Sequence, residues 1–166
     1  MIYNIYGIRE LANWILDYGD KQGVAITNMA LNKLLFFAYE HALINYKRKL
    51  TNAKIEAWDH GPVFREVYRS FKKFGDSPIV SRAEKYNLTT DRLEVAVADI
   101  SDEDSIMIEE AISPLVKLPA YILREISHAD DGPWAATWHH KEKTNPGMEI
   151  SDKIIYRTHE SRGMLQ

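Results

Sequence analysis

Apolar side chains recur at helical spacing through most of the chain, with short breaks between the periodic stretches. Apolar residues three and four positions apart predict a first amphipathic helix from Tyr6 to Tyr18, broken by the segment from Gly19 to Gly23. The next stretch, from Asn28 to Tyr46, is apolar on more than one side. We therefore expect a central, largely buried second helix with Thr27 as its N-cap.

A compact block of aromatic residues follows the second helix. The alternation from Lys54 to Trp58 predicts a short strand, and Pro62, the proline of the following His-Gly-Pro turn, suits the first position of a helix that Gly75 ends. This third helix is predicted to be amphipathic with a cationic outer side. Its apolar side carries Phe64, Val67, Tyr68, Phe71 and Phe74, and its outer side carries Arg65, Arg69, Lys72 and Lys73.

The second half of the chain continues the helical pattern after one small β segment. A hairpin is predicted between Ile79 and Ile100, where Leu93, Val95 and Val97 alternate. Helices are predicted from Ser101 as a cap to about Leu115, from Pro119 onwards, and from Asp152 to Glu160 behind the cap Ser151. The pattern therefore predicts a mainly α protein: a single compact helical domain over residues 1–166, with one or two small β-strand pairs.

Composition narrows the classes of protein to which the chain can belong. The 166 residues are 45% hydrophobic and 27% charged, include no cysteine and carry a formal net charge of -3. Disulfides and thiolate metal sites are excluded, and a reducing compartment fits best. No apolar run approaches the roughly 20 residues of a membrane span. We expect a cytoplasmic protein that does not contact the membrane.

Lys33 is the most unusual charged residue, since it lies in the apolar centre of the second helix. An unpaired buried ammonium is costly. We expect an acidic partner, for which Glu40 on a similar face is the nearest candidate, or an exit of the ammonium to water. A role in recognising a partner is the other interpretation.

The histidines lie beside acidic residues but do not form a known catalytic or metal motif. His60 follows Asp59, His128 precedes Asp130, and His139 and His140 are adjacent; none of these has the HExxH spacing. We expect neither a metal nor another cofactor, and we expect His128 to hydrogen-bond carbonyl groups at a helix end. A histidine- or metal-dependent enzyme using His60, Asp59 and His128 stays open as an alternative.

Neither a nucleophile elbow nor a nucleotide-binding loop is present in the sequence. The basic side of the third helix leaves a second alternative, a nucleic-acid-associated prophage regulator. The acidic run from Asp99 to Glu110 offsets that basic charge, so we expect nucleic acid not to be the partner. Trp58 and Trp134, each next to a proline-containing turn, are expected to be core residues with some capacity to anchor an interface.

Five ordered blocks of the sequence resemble one protein family. The blocks NKLLFFAYEHAL, IEAWDHGPVFREVYRSFKKFG, SDEDSIMIEEAI, ISHADDGPW and ISDKIIY are similar to those of the Panacea domain, which is found in phage-associated and genetic-element proteins. The motif residues carried over to this chain are Lys33, Leu34, Tyr39, Trp58, Gly61, Pro62, Val63, Tyr68, Ser127, His128, Pro133 and Trp134.

The resemblance implies a function that composition and periodicity do not. Members of this family resemble antitoxins of toxin–antitoxin systems: they bind a cognate protein toxin directly and neutralise it, and one relative delivers its toxin to a AAA+ protease. No catalytic activity is implied, and whether the chain forms a homo-oligomer stays open. The motif residues are expected to be structural or to contact the partner.

Overall fold

The computed structural model of the protein describes residues 3–139 and 148–164, so His140 of the histidine pair lies outside it. Over these residues the protein is mainly α, with helices surrounding one buried core and two small antiparallel sheets. The helices are α1 (Ile8–Lys21), α2 (Asn28–Tyr46), α3 (Arg65–Phe71), α4 (Asp102–Ile112), α5 (Ala120–Ser127), α6 (Pro133–Trp138) and α7 (Asp152–Met164). The strands are β1 (Glu56–Trp58), β2 (Gly61–Val63), β3 (Glu84–Asn87), β4 (Arg92–Val95) and β5 (Met148–Glu149).

Helix α2 lies at the centre of the molecule and has the predicted bounds. The Thr27 hydroxyl accepts a hydrogen bond from the backbone amide of Ala30 at 3.3 Å, which confirms the predicted cap. The helix ends where Lys47 adopts a left-handed conformation, with φ at 53°. Helices α1, α3, α4, α5 and α7 and strand β2 all pack on α2. Its apolar residues are buried because they have neighbours on every side.

The first sheet replaces the predicted single strand with a hairpin and an added strand. Its order is β2-β1-β5, all antiparallel, with Ala57 opposite Pro62 and Trp58 opposite Gly61. The prediction that Pro62 begins a helix is wrong, because Pro62 lies in β2 and α3 begins at Arg65. Strand β2 is an edge strand, where a residue without a backbone amide hydrogen is tolerated.

Helix α3 continues into a 3₁₀ turn, Lys72–Phe74, and ends as predicted at Gly75, whose φ is 55°. The apolar side divides into buried and exposed parts: Val67 and Phe71 are buried, whereas Tyr68 is 39% exposed. The basic side chains of α3 and the turn all face solvent, as predicted.

The predicted hairpin in the middle of the chain is confirmed as strands β3 and β4. Asn13 of α1 holds its base: the side-chain amide donates to the carbonyls of Ala83 at 2.9 Å and Ala96 at 2.7 Å, and its oxygen accepts from the Ala83 amide at 2.8 Å. Beyond this attachment Leu93 and Val95 are exposed.

Several observed helix boundaries differ from the predicted ones by two to four residues. Helix α1 begins at Ile8, after Gly7 in an extended conformation, and the Tyr6 amide before it donates to the Leu50 carbonyl at 2.8 Å. It runs through Gly19, which is buried against the Ile26 side chain. Helix α4 stops at Ile112, and α7 continues four residues past the predicted end at Glu160.

Helix α6 and strand β5 were not predicted. Helix α6 has six residues, too few to show a period, and it begins at Pro133, where the missing amide hydrogen costs nothing. The caps Ser101 and Ser151 are confirmed: their hydroxyls accept from Asp104 and Ile154 amides at 3.2 and 3.3 Å. In the described part of the chain, none of the helices has the length and apolar character needed to traverse a bilayer.

Candidate functional site

Lys33 lies beneath the β1–β2 hairpin with only 1% of its surface exposed. Its Nζ donates to the Pro62 carbonyl oxygen at 2.9 Å, and it makes no ion pair with a carboxylate among residues 3–139 and 148–164. The predicted acidic partner or exit to water is therefore wrong. Burial, and next the positive charge of Arg124, lower the pKa of Lys33 to about 7. The ammonium is held by a backbone carbonyl that the hairpin turns inward.

Gly61 allows the hairpin to lie close to Lys33. Its φ is 106°, a conformation that residues with a side chain rarely adopt. A Cβ at this position would lie 2.8 Å from Cε of Lys33 and 2.8 Å from Oγ of Ser127. The Ser127 hydroxyl itself donates to the Arg124 carbonyl at 2.7 Å. The Gly61-Pro62 pair thus allows the hairpin to pack tightly against α2 and α5.

His128 and Trp134 also support the hairpin. Their rings are stacked, with centroids 3.7 Å apart and planes 5° apart. Burial, followed by the charges of Arg124 and Lys33, lowers the pKa of His128 to about 4, although a hydrogen bond with the backbone of His60 acts in the other direction. The imidazole is therefore neutral at ordinary pH. It hydrogen-bonds to the backbone of His60 in the hairpin, whereas we had expected it to bond to carbonyl groups at the end of α5.

Trp134 connects this support to the aromatic face of the hairpin. Its Nε1 donates to the Trp58 carbonyl at 2.7 Å, and only 5% of the residue is exposed. Trp134 is thus the core residue that was predicted. Trp58 is half-buried: its Nε1 donates to Glu56 Oε2 at 2.8 Å, and its ring meets that of Tyr68 edge to face at 4.9 Å.

A groove of about 240 Å³ opens beside the Trp58 and Tyr68 rings, between the hairpin, the first turns of α2, and α3 with its 3₁₀ turn. We call it the motif groove. Its lining residues are Asn28, Met29, Asn32, Lys33, Trp58, His60, Val63, Tyr68, Lys72, Gly75 and Asp76. Four carried-over motif residues, Lys33, Trp58, Val63 and Tyr68, are among them.

Two asparagines that sequence reasoning missed hold one wall of the motif groove. Asn32 is 1% exposed; its amide donates to the Asn28 carbonyl at 3.0 Å, and its oxygen accepts from the Phe64 amide at 2.9 Å. Asn28 in turn donates to the Tyr68 carbonyl at 3.0 Å. The available signal was two polar residues four positions apart in an otherwise apolar helix, next to the charged Lys33.

The remaining motif residues lie in the support or elsewhere. Pro133 is the buried first residue of α6. Tyr39 does not line the groove: its hydroxyl donates to Asp152 Oδ1 at 2.6 Å, which ties α2 to α7. Burial, and next the Asp152 carboxylate, raise the pKa of Tyr39. The motif thus divides into a groove surface and the residues that hold it in place.

The residues of the enzyme alternative are near one another but do not form an exposed cluster. His60 Nδ1 lies 3.8 Å from Asp59 Oδ2, and both side chains are exposed. The Nε2 atom of His128 is buried, with no hydrogen-bond partner among the described residues. Within the described ranges, His, Asp and Glu side chains form no group of three or more that could hold a metal ion.

Comparison with known proteins identifies the family of the chain. The sequence model of one family, described as "Antitoxin SocA-like, Panacea domain", matches residues 31–135, which include most of the motif groove and of its support. The curated protein Antitoxin SocA of Caulobacter vibrioides (strain NA1000 / CB15N) is 35% identical over 149 residues, covering 89% of this chain and 79% of that protein. No solved structure matches the chain significantly. The resemblance seen in the sequence blocks is confirmed, and the chain belongs to the SocA-like antitoxin family with the Panacea domain.

Proposed function

We propose that the chain neutralises a cognate protein toxin by binding it directly through the motif groove, without making or breaking a covalent bond. Family membership supports the antitoxin role. The observation that carries the choice of surface is the partly exposed Trp58–Tyr68 pair, which is supported from below by hydrogen bonds of the buried residues Lys33 and Trp134.

Such a surface suits protein binding for two physical reasons. Tryptophan and tyrosine are enriched among the residues that contribute most to interface affinity, because they bury much area with few rotatable bonds. A support whose hydrogen bonds are already made in the free protein also reduces the ordering cost of association. A contact of standard size, about 1,200 to 2,000 Å² in total, would extend well beyond the groove itself.

Stoichiometry distinguishes binding from catalysis. The experiment co-expresses the tagged chain with the product of the adjacent gene, purifies the complex, and then titrates purified chain into the active toxin. We expect co-purification and an inhibition curve that reaches its end near equimolar chain. A catalytic amount of chain that inactivates excess toxin would contradict the proposal, as would the absence of a complex together with a harmless neighbouring gene product.

A matched pair of variants tests the surface. We expect Tyr68→Ala to weaken the complex by about tenfold or more, which corresponds to at least about 1.4 kcal/mol of binding free energy, with little change in melting temperature. Tyr121→Ala, which removes an exposed tyrosine of α5 outside the groove, is the control and should leave affinity unchanged. Equal affinities for the two variants would place the contact elsewhere.

Delivery of the toxin to a AAA+ protease is a separate step. If binding alone neutralises the toxin, the purified chain should inhibit it in a mixture that contains no protease. If the purified chain binds the toxin yet leaves it active, and toxin is lost only when a protease and ATP are added, neutralisation by coverage is contradicted.

A further inference from the structure

The rim of the motif groove on the α3 side carries uncompensated positive charge. Lys72 lines the groove, and Arg69 lies one turn earlier; both side chains are exposed and form no ion pair within residues 3–139 and 148–164. Arg65, in contrast, is paired with Glu56 at 3.0 Å. The acidic residue among those lining the groove is Asp76. The rim is therefore basic in a chain whose formal net charge is -3.

The walls of the motif groove add to the positive electrostatic potential of its rim. Lys33 meets a carbonyl and no carboxylate of the described chain, so its charge is not neutralised when it is protonated. The first turn of α2 lines the groove and contains no acidic residue. Because the amino end of a helix carries partial positive charge, this turn acts in the same direction as the lysines.

From this arrangement we propose that the motif groove receives an acidic segment of the partner polypeptide. An apolar or aromatic side chain of the segment packs on Trp58 and Tyr68, and a neighbouring aspartate or glutamate carboxylate meets Lys72 and Arg69 at the rim. This inference rests on the proposed function and specifies the chemistry of the toxin segment that the chain recognises.

A polypeptide fits the groove better than nucleic acid, the other common polyanion. A volume of about 240 Å³ suits one or two side chains, and Met29 and Val63 give part of the lining an apolar character. Nucleic-acid surfaces extend basic charge along a backbone of many phosphates. Here Asp76 interrupts the basic rim within the groove itself.

A charge-reversal pair with equal net charge tests the proposal. Calorimetry measures the affinity of the full chain for the adjacent-gene toxin, and for overlapping synthetic peptides that cover it. The Arg69→Glu/Lys72→Glu variant should lose about tenfold or more in affinity, and its dependence on salt should flatten. The control Lys117→Glu/Lys153→Glu changes two exposed lysines outside the groove and should change affinity by less than about twofold.

The outcomes separate this inference from the function on which it rests. If the wild-type chain does not bind the toxin, the proposed function fails. If it binds and both charge-reversed variants bind equally well, or if the bound peptides contain no acidic residue, the acidic-segment inference alone is overturned. A single-stranded oligodeoxynucleotide serves as a further probe: tight binding of it that only Arg69→Glu/Lys72→Glu abolishes would assign the rim to nucleic acid instead. Melting temperatures of both variants near that of the wild type are expected, because all four substituted side chains are exposed.

Discussion

Lys33 illustrates how a single residue can be recognised from the sequence while its partner cannot. The charge in an apolar helix marks the position, but the acceptor, the Pro62 carbonyl, lies 29 positions away. Gly61 is explained by the same contact, since its left-handed φ and lack of a Cβ let the backbone reach the ammonium. At the scale of single residues, Lys33, Gly61 and Pro62 are explained by the one contact that they form together.

The lowered pKa of Lys33 predicts that the free energy of unfolding depends on pH, and replacement of Lys33 tests this prediction. The pKa of Lys33 is about 7 in the folded protein and 10.5 in the unfolded chain, so between these values the unfolded state binds more protons and stability rises with pH. Below pH 7 the cost of burying the ammonium is fully present. We expect Lys33→Met to lack this rise, so that wild-type stability increases relative to the variant by an amount on the order of several kcal/mol from pH 7 to 10.5.

Urea unfolding of both proteins at a series of pH values measures the difference. Lys153→Met, which removes an exposed lysine of α7, serves as the control and should give a curve parallel to that of the wild type. A Lys33→Met curve that also runs parallel to the wild type would show that Lys33 titrates normally.

At the scale of elements, two hairpins are attached to helices in different ways. The β1–β2 hairpin lies on α2, α5 and α6 and forms part of the motif groove. The β3–β4 hairpin is attached to α1 in two ways: the buried Asn13 side chain bonds to the backbone at its base, and ion pairs join Lys85 to Glu10 and Arg82 to Asp17 and Asp20. Its strand residues face solvent, so the attachment at the base has to supply much of its order.

Removal of the buried Asn13 amide should cost much more than removal of the half-buried Asn87 amide at the other end of β3. In Asn13→Ala the buried polar backbone groups of Ala83 and Ala96 lose three hydrogen bonds, which predicts a loss of about 2 to 4 kcal/mol in the free energy of unfolding. Asn87→Ala at the far end of β3 is the matched control, with an expected loss below about 1 kcal/mol. Chemical denaturation compares the two, and equal losses would contradict the role of Asn13.

At the scale of the whole molecule, the most buried helix and the motif groove lie in different regions for most of their extent. Helix α2 contacts most other helices and buries most of its residues, whereas the motif groove opens where the amino end of α2 meets the hairpin and α3. This arrangement gives the proposed partner-binding surface a buried base. It also explains why the motif residues of the resemblance include both groove residues and buried supports such as Trp134.

Native-state hydrogen exchange should show this gradient directly. We expect the central amides of α2 to exchange only through global unfolding, and the amides of β3 and β4 to exchange many times faster, because local opening there exposes little buried surface. Mass-spectrometric exchange on the free chain measures both. Protection in β3 and β4 equal to that of α2 would refute the gradient.

The sequence by itself determined the helical class, the bounds and cap of α2, the serine caps, the middle hairpin and the family. These features follow from local periodicity, from hydroxyl groups at helix starts and from blocks of specific residues, all of which can be seen within short segments. Only the tertiary structure decided that Pro62 lies in an edge strand, that Lys33 meets its carbonyl, that His128 stacks on Trp134, and that α6 exists. The Lys33 contact joins groups 29 positions apart, which no local pattern can show. The edge strand, the ring stack and the six-residue α6 are close in sequence, but they are too short to show a period and their geometry is set by packing on the rest of the molecule.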